Sequence, residues 1–220
     1  MDLLPAIELE SPSGVDVNAS VIWLHGLGAD GSDFASIVPH LDLMDSYGIR
    51  FIFPHAPAIP VSINNGSVMP AWYDIKQIDV KRHIDEEQIR RSAGWVHALI
   101  DRELERGVDS SRIIIAGFSQ GGAVAFEAAL TYSQPLAGVM ALSTYFPTAE
   151  SIQINPIQNS IPIIICHGTQ DPMVNESLGR KSQTILKNLG FVPEYKSYLM
   201  EHAVCPQEVV DIADWVRRVL

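Results

Sequence analysis

Two cysteines, Cys166 and Cys205, are too few for a disulfide framework or a cysteine-rich zinc site. Both read as buried small hydrophobes, and a reducing cytoplasm is the simplest home. Basic residues are scarce. Fifteen Lys and Arg stand against 26 Asp and Glu, for a formal net charge of −11. A surface of that sign repels phosphate backbones, so nucleic acid is not expected as a partner, and an anionic bilayer would not attract it. Long apolar runs are missing too. The longest, residues 113–116 and 161–166, have strand length, and none could span a membrane. The first ten residues, MDLLPAIELE, lack a basic n-region and an apolar h-region, so they do not read as a signal peptide. There is no P-loop, no G-x-G-x-x-G after a strand and no internal repeat. No histidine pair or carboxylate cluster has metal-ligand spacing, so no metal is expected.

What is present suits one well-buried core. The chain has 220 residues, 47% of them hydrophobic, and a single domain over residues 1–220 is expected. Short β-branched runs alternate with amphipathic stretches. Strands are expected at 21–24, 50–53, 112–116, 137–142, 161–166 and 194–199. Helices are expected at 33–41, 85–106, 122–131, 177–189 and 208–220. The strands lack polar alternation and are joined by helices. That implies an α/β fold, with a mostly parallel central sheet covered by helices on both faces. In such sheets chemistry sits beyond the carboxyl ends of the strands.

One motif lies at such a place. Gly117-Phe118-Ser119-Gln120-Gly121 follows a buried strand and opens an alanine-rich helix. G-x-S-x-G alone is a weak signal, but strand–turn–helix is the context a nucleophile elbow requires. The turn leaves no room for Cβ atoms two residues either side of Ser119, and Gly122 lets the helix start close to the sheet. A serine needs a base. Of seven histidines, only His167 and His202 follow Ser119 in the chain. His202 lies in a loop after a further strand. His25 and His167 each precede a glycine at a strand end and read as structural. His40, His83 and His97 read as helix or surface residues. The orienting carboxylate is expected in a strand-end loop between serine and histidine, and Asp171 in HGTQDP is the candidate. The oxyanion needs two donors. The main-chain N–H of Gln120 is one, and that of Leu27, in the flexible HGLGAD loop, is the other.

With these residues in place, the chain resembles the acyl-protein thioesterase, lysophospholipase and carboxylesterase family of small α/β-hydrolases. It most resembles the family's bacterial carboxylesterase branch. The motifs are WLHGLGADGSDF, FPHAP, AWYDI, IIIAGFSQGGAVA, ALSTY, CHGTQDPMV and EHAVCPQE, which span nearly the whole chain. The resemblance implies the same triad and oxyanion hole, no cofactor, and no separate lid domain. It implies hydrolysis of acyl esters or thioesters carried by a small molecule, a lipid or a protein. Residues 55–74 would cover one side of an acyl groove, with Trp72 facing substrate, and Met173 and Val174 would line it. The family usually has glycine just before the catalytic histidine, where this chain has Glu201. An acyltransferase with the same triad, a non-catalytic module on the same fold, and a homodimer stay open at this stage.

Overall fold

The computed structural model describes residues 3–10, 15–43, 48–77 and 83–220. Met1 and Asp2, the start of the segment read for a signal peptide, lie outside the described residues. Eleven strands and four α-helices are described. The strands are β1 Ala6–Glu10, β2 Ala19–Leu24, β3 Ile49–Pro54, β4 Ala58–Val61, β5 Ser67–Pro70, β6 Ile75–Gln77, β7 His83–Ile84, β8 Ile113–Phe118, β9 Gly138–Leu142, β10 Ile163–Gly168 and β11 Glu194–Tyr198. The helices are α1 Glu86–Glu105, α2 Gln120–Thr131, α3 Glu176–Asn188 and α4 Pro206–Val219.

Seven strands form one sheet in the order β1-β3-β2-β8-β9-β10-β11. All neighbours in it are parallel except β1, which runs antiparallel to β3 with Ala6 opposite Pro54. The parallel strands other than the edge strand β11 are buried along their length, and alternate residues serve opposite layers. In β8, Ile113 and Ile115 join Ile89, Val96 and Leu99 of α1 in one layer, while Ile114, Ala116 and Phe118 join Ile212 and Trp215 of α4 in the other. Helices therefore cover both faces, as expected for a sheet with few exposed backbone edges.

Local signals set the helix bounds. Asp85 caps α1 by accepting from the N–H of Gln88, and Gly107, at φ 92°, ends it. The stretch read as a helix over 33–41 is instead a 3-10 turn at Ala35–Leu41, since Pro39 inside it offers no N–H. The edge strand β1 was not expected, because AIELE is short and carries two carboxylates. Their partner explains it. Arg50 on β3 is paired by Glu10 at 2.7 Å and by Glu103 of α1 at 2.6 Å. Ser20 donates to the same Glu103 oxygen at 2.7 Å, so β1, β2, β3 and α1 are tied at one buried point. Glu103→Ala would leave the Arg50 guanidinium buried without its main partner. The expected loss of stability is about 3–5 kcal/mol, against much less for Glu103→Gln, measured by urea unfolding.

Glu208 is a second buried carboxyl, and it stands on α4 just after the loop that carries His202. It is fully buried, and neither oxygen has a well-formed hydrogen bond among the described residues, the Cys205 main chain being only a weak partner. Burial pushes its pKa up from an ordinary 4.5 to about 8, with the Asp211 carboxylate adding to the effect and the Cys205 main chain opposing it. The folded chain then keeps a proton that the unfolded chain has lost. Stability should fall as pH rises from about 4.5 to about 8, and level off above that. Buried His25 and His167, whose pKa values are lowered by burial, act in the opposite sense, adding stability as pH rises toward the ordinary histidine value. The difference between wild type and Glu208→Gln isolates the carboxyl. Melting temperatures across this window should decline less in Glu208→Gln, and identical slopes would show that Glu208 is ionised in the fold.

Candidate active site

The strand ends at one edge of the parallel sheet bring the sequence-read residues together. β2 leads into His25–Gly28, β8 into Ser119, β10 into the loop of Asp171, and β11 into the loop of His202. Ser119 has φ 54° and ψ −117°, a backbone state that L-residues rarely adopt. Steric demands on its neighbours match. A Cβ at Gly121 would lie 2.5 Å from the carbonyl oxygen of Leu24, and one at Gly122 would lie 2.5 Å from the Thr144 side chain. A Cβ at Gly117 would run into the main chain of Gly121. The strained residue is held from both sides. Its N–H donates to Leu142 O at 2.9 Å, and its carbonyl accepts from the Thr144 hydroxyl at 2.6 Å.

Asp171 is buried, and its two oxygens have separate tasks. Oδ1 accepts from the N–H groups of Met173 and Val174, each at 2.8 Å. Oδ2 accepts from His202 Nδ1 at 2.6 Å. A carboxylate held by two main-chain donors cannot rotate away from the imidazole it orients. That bond leaves Nε2 of His202 to act as acceptor or donor elsewhere. The ring packs on Phe118, with centroids 4.6 Å apart, and keeps an 18% exposed side chain.

His167, the competing histidine, points elsewhere. Its Nε2 donates to Val174 O at 2.7 Å, it lies 3.7 Å from Asp171, and burial lowers its pKa. His25 is likewise structural. Nδ1 donates to Gly26 O at 2.7 Å, and Nε2 accepts from Ala56 N–H at 3.1 Å. One ring nitrogen gives and the other receives, so the imidazole is neutral. Burial lowers its pKa accordingly. This locks the turn that carries Leu27.

The N–H groups of Leu27 and Gln120 have no main-chain acceptor among the described residues. The Gln120 side chain was not singled out by sequence, yet it is a clamp. Its amide oxygen accepts from Trp72 N–H at 2.9 Å, and its amide nitrogen donates to Tyr73 O at 2.7 Å.

Trp72 requires a correction. Expected on the substrate side of the 55–74 segment, it is 1% exposed and belongs to the core. Its indole N–H donates to His25 O at 2.8 Å, and its ring lies 5.1 Å from that of His25. The hydrogen-bonding handle of the ring is spent on the loop of Leu27, so the side chain faces inward. The segment itself is a β-hairpin, β4 with β5, and Gly28 N–H is bound to its end at Pro70 O, 2.9 Å.

A cavity of about 370 Å³ opens above Ser119. Leu27, Gln120 and His202 line it, with Ile63 and Met69 from the hairpin, Ile75, and the hydrogen-bonded pair Tyr73 and Tyr145. Met173 and Val174 line it as expected, Met173 largely exposed and Val174 buried. Ile63 and Met69 belong to the 55–74 segment expected to cover the groove. Tyr73, Ile75 and Tyr145 were not singled out, because their approach depends on how distant loops fold over. Glu201 is exposed, and its backbone stays out of the left-handed region, so the place where relatives usually carry glycine does not demand it here. Among the described residues no group of three or more His, Cys, Asp or Glu could hold a metal ion.

The family model described as Phospholipase/Carboxylesterase matches residues 7–220. Acyl-protein thioesterase 1 of Neurospora crassa is 38% identical over 209 residues, covering 90% of this chain and 85% of that protein. Acyl-protein thioesterase 1 of Schizosaccharomyces pombe is 44% identical over 173 residues, 77% of this chain and 76% of that one. Among solved structures, Arabidopsis thaliana SOBER1 is similar with a TM-score of 0.85 at 32% identity, covering 91% of this chain and 98% of its own. Zea mays acyl-protein thioesterase 2 also has a TM-score of 0.85, at 26% identity over 98% of each chain. The sequence relatives named here are fungal thioesterases, so the expected place on a bacterial carboxylesterase branch gains no support. No described helix is long and apolar enough to cross a membrane. The elbow at a parallel strand's end, the sheet order and these relatives make the chain a member of the phospholipase/carboxylesterase family of α/β-hydrolases, serine hydrolases of ester and thioester bonds.

Proposed function

We propose that Ser119, His202 and Asp171 form the catalytic triad, and that the chain releases medium to long acyl groups from thioesters and esters. The observation that carries this is the 2.6 Å bond from His202 to a buried Asp171, beside a serine on a strained elbow in the same apolar cavity. Ser119 Oγ attacks the carbonyl carbon while His202 Nε2 takes its proton. The N–H groups of Leu27 and Gln120 bind the oxyanion. The bond to the alcohol or thiol then breaks, and His202 returns the proton to the departing atom. Water, activated by the same imidazole, hydrolyses the acyl-enzyme. The apolar cavity walls suit an acyl chain, each buried methylene being worth about 0.8 kcal/mol. The names of the relatives favour acyl-proteins as substrates. A reducing compartment such as the cytoplasm suits the free thiols of Cys166 and Cys205.

Ser119→Ala should lower kcat by at least about 10³-fold and abolish fluorophosphonate labelling with the fold intact by circular dichroism. His202→Ala should lose activity comparably. His97→Ala should not, since its ring is bonded to Ala128 O away from the site. Full turnover in Ser119→Ala would sink the assignment.

Chain-length profiles separate wall from scaffold. Ile63→Trp should cut kcat/KM for long acyl chains while sparing acetyl, because it fills the cavity. Trp72→Phe should lower kcat roughly tenfold for every chain length, because it frees the Leu27 loop. A long-chain-specific loss in Trp72→Phe would restore the substrate-facing reading of that ring.

A further inference from the structure

A second cavity, of about 390 Å³, adjoins the first. The two share Asp33, Phe118 and His202 as walls. The second is bounded by the 3-10 turn, through Ser36, Ile37 and His40, and by Val204 after the histidine. It touches His202 but not Ser119, Leu27 or Gln120. That asymmetry assigns the lobes. The acyl carbon stays on Ser119 after the first step, so its chain belongs in the lobe that Ser119 lines. The departing group receives its proton from His202 alone, so it belongs in the lobe that only His202 lines.

Fixed charge in this place, among the described residues, is of one sign. None of the described Lys or Arg residues lines either lobe, and the sole described carboxylate in them is Asp33, at their junction. Its side chain is exposed, and no hydrogen bond to it is described. Glu201, also exposed, adjoins His202 in the chain. We propose that Asp33 is a specificity-determining residue, which favours substrates whose leaving group is cationic near the scissile bond and disfavours polyanionic ones. This rests on the triad reading above. It fits an acylated protein segment with basic residues around the modified side chain, or an ester of a quaternary ammonium alcohol, and argues against a thioester of a nucleotide-bearing thiol.

Three thioesters of one acyl group test it: octanoyl-thiocholine, octanoyl-N-acetylcysteamine and octanoyl-CoA, with leaving groups that are cationic, neutral and polyanionic. Wild type should rank them in that order by kcat/KM. Asp33→Asn should cut the thiocholine-to-CoA ratio roughly tenfold. Glu105→Gln removes the same charge from the far end of α1, and should move the ratio by less than about twofold. In wild type alone, raising NaCl from about 20 to about 300 mM should shrink the ratio, a measurement that does not depend on a variant folding. An unchanged ratio in Asp33→Asn, a wild-type ratio insensitive to salt, or an equal shift in Glu105→Gln would overturn the proposal while leaving the triad standing. Turnover of the neutral thioester that persists in Ser119→Ala would overturn both.

Discussion

Ser119 occupies a backbone state that costs of order 1–3 kcal/mol, and much of the molecule is arranged so that it can. The strand before it carries glycine at 117, next to its last residue, because a side chain there would strike Gly121. The helix after it carries Gly121 and Gly122 in its first turn because one must pass the carbonyls of Leu24 and His25 and the other must pass Thr144. Two hydrogen bonds, to Leu142 and from Thr144, hold the residue between neighbouring strands. The strain buys exposure of one hydroxyl at the top of a sheet whose five central strands are buried. It also points the first turn of α2, with its unpaired N–H groups, toward the same spot. Sheet order, glycine positions and the alanine-rich face of α2 all follow from that requirement.

Around the elbow, polar groups are used once each. His25 gives one proton and takes one, Gln120 receives from Trp72 and donates to Tyr73, and Asp171 divides its oxygens between main chain and imidazole. In a low-dielectric interior such matched bonds are strong, and an unmatched group is costly. Not every buried group is matched: Ser143 Oγ and His167 Nδ1 have no partner among the described residues, and Glu208 is the case with most charge at stake. Its carboxyl is buried without a well-formed hydrogen bond on the helix that follows the His202 loop, and burial resolves the conflict by keeping it protonated.

Sequence reading reached the parallel sheet, its helices on both faces and the residues now found around the cavity because those signals are local. A buried strand has no polar alternation, an elbow needs glycine at fixed offsets, and a catalytic histidine must follow the last strands in chain order. It failed where the outcome depends on distant partners. β1 is polar in isolation and becomes a strand through Arg50 and Glu103, 40 and 53 residues from their bonding partners. Trp72 in a Pro- and Gly-rich segment gives no hint that a carbonyl 47 residues earlier will take its indole N–H. Apolar character alone does not distinguish a side chain that faces a cavity from one that closes the core behind it. Trp72 differs from Ile63 in carrying an indole N–H, which the His25 carbonyl takes from the core side.

This division separates what can change from what cannot. The loop of Leu27, the proposed oxyanion donor, is braced by Trp72 and His25, both buried, so site geometry and stability share the same residues and should fail together. The side chains that line the two lobes are of another kind. Met173 and Asp33 are exposed, and Ile63 and Met69 stand half-buried on a two-stranded hairpin rather than on the main sheet. Substitutions there alter shape and charge beside the reacting atoms without disturbing the bonds that hold Ser119. On the proposed function, different acyl chains and leaving groups are accommodated on one unaltered elbow, by the rim alone.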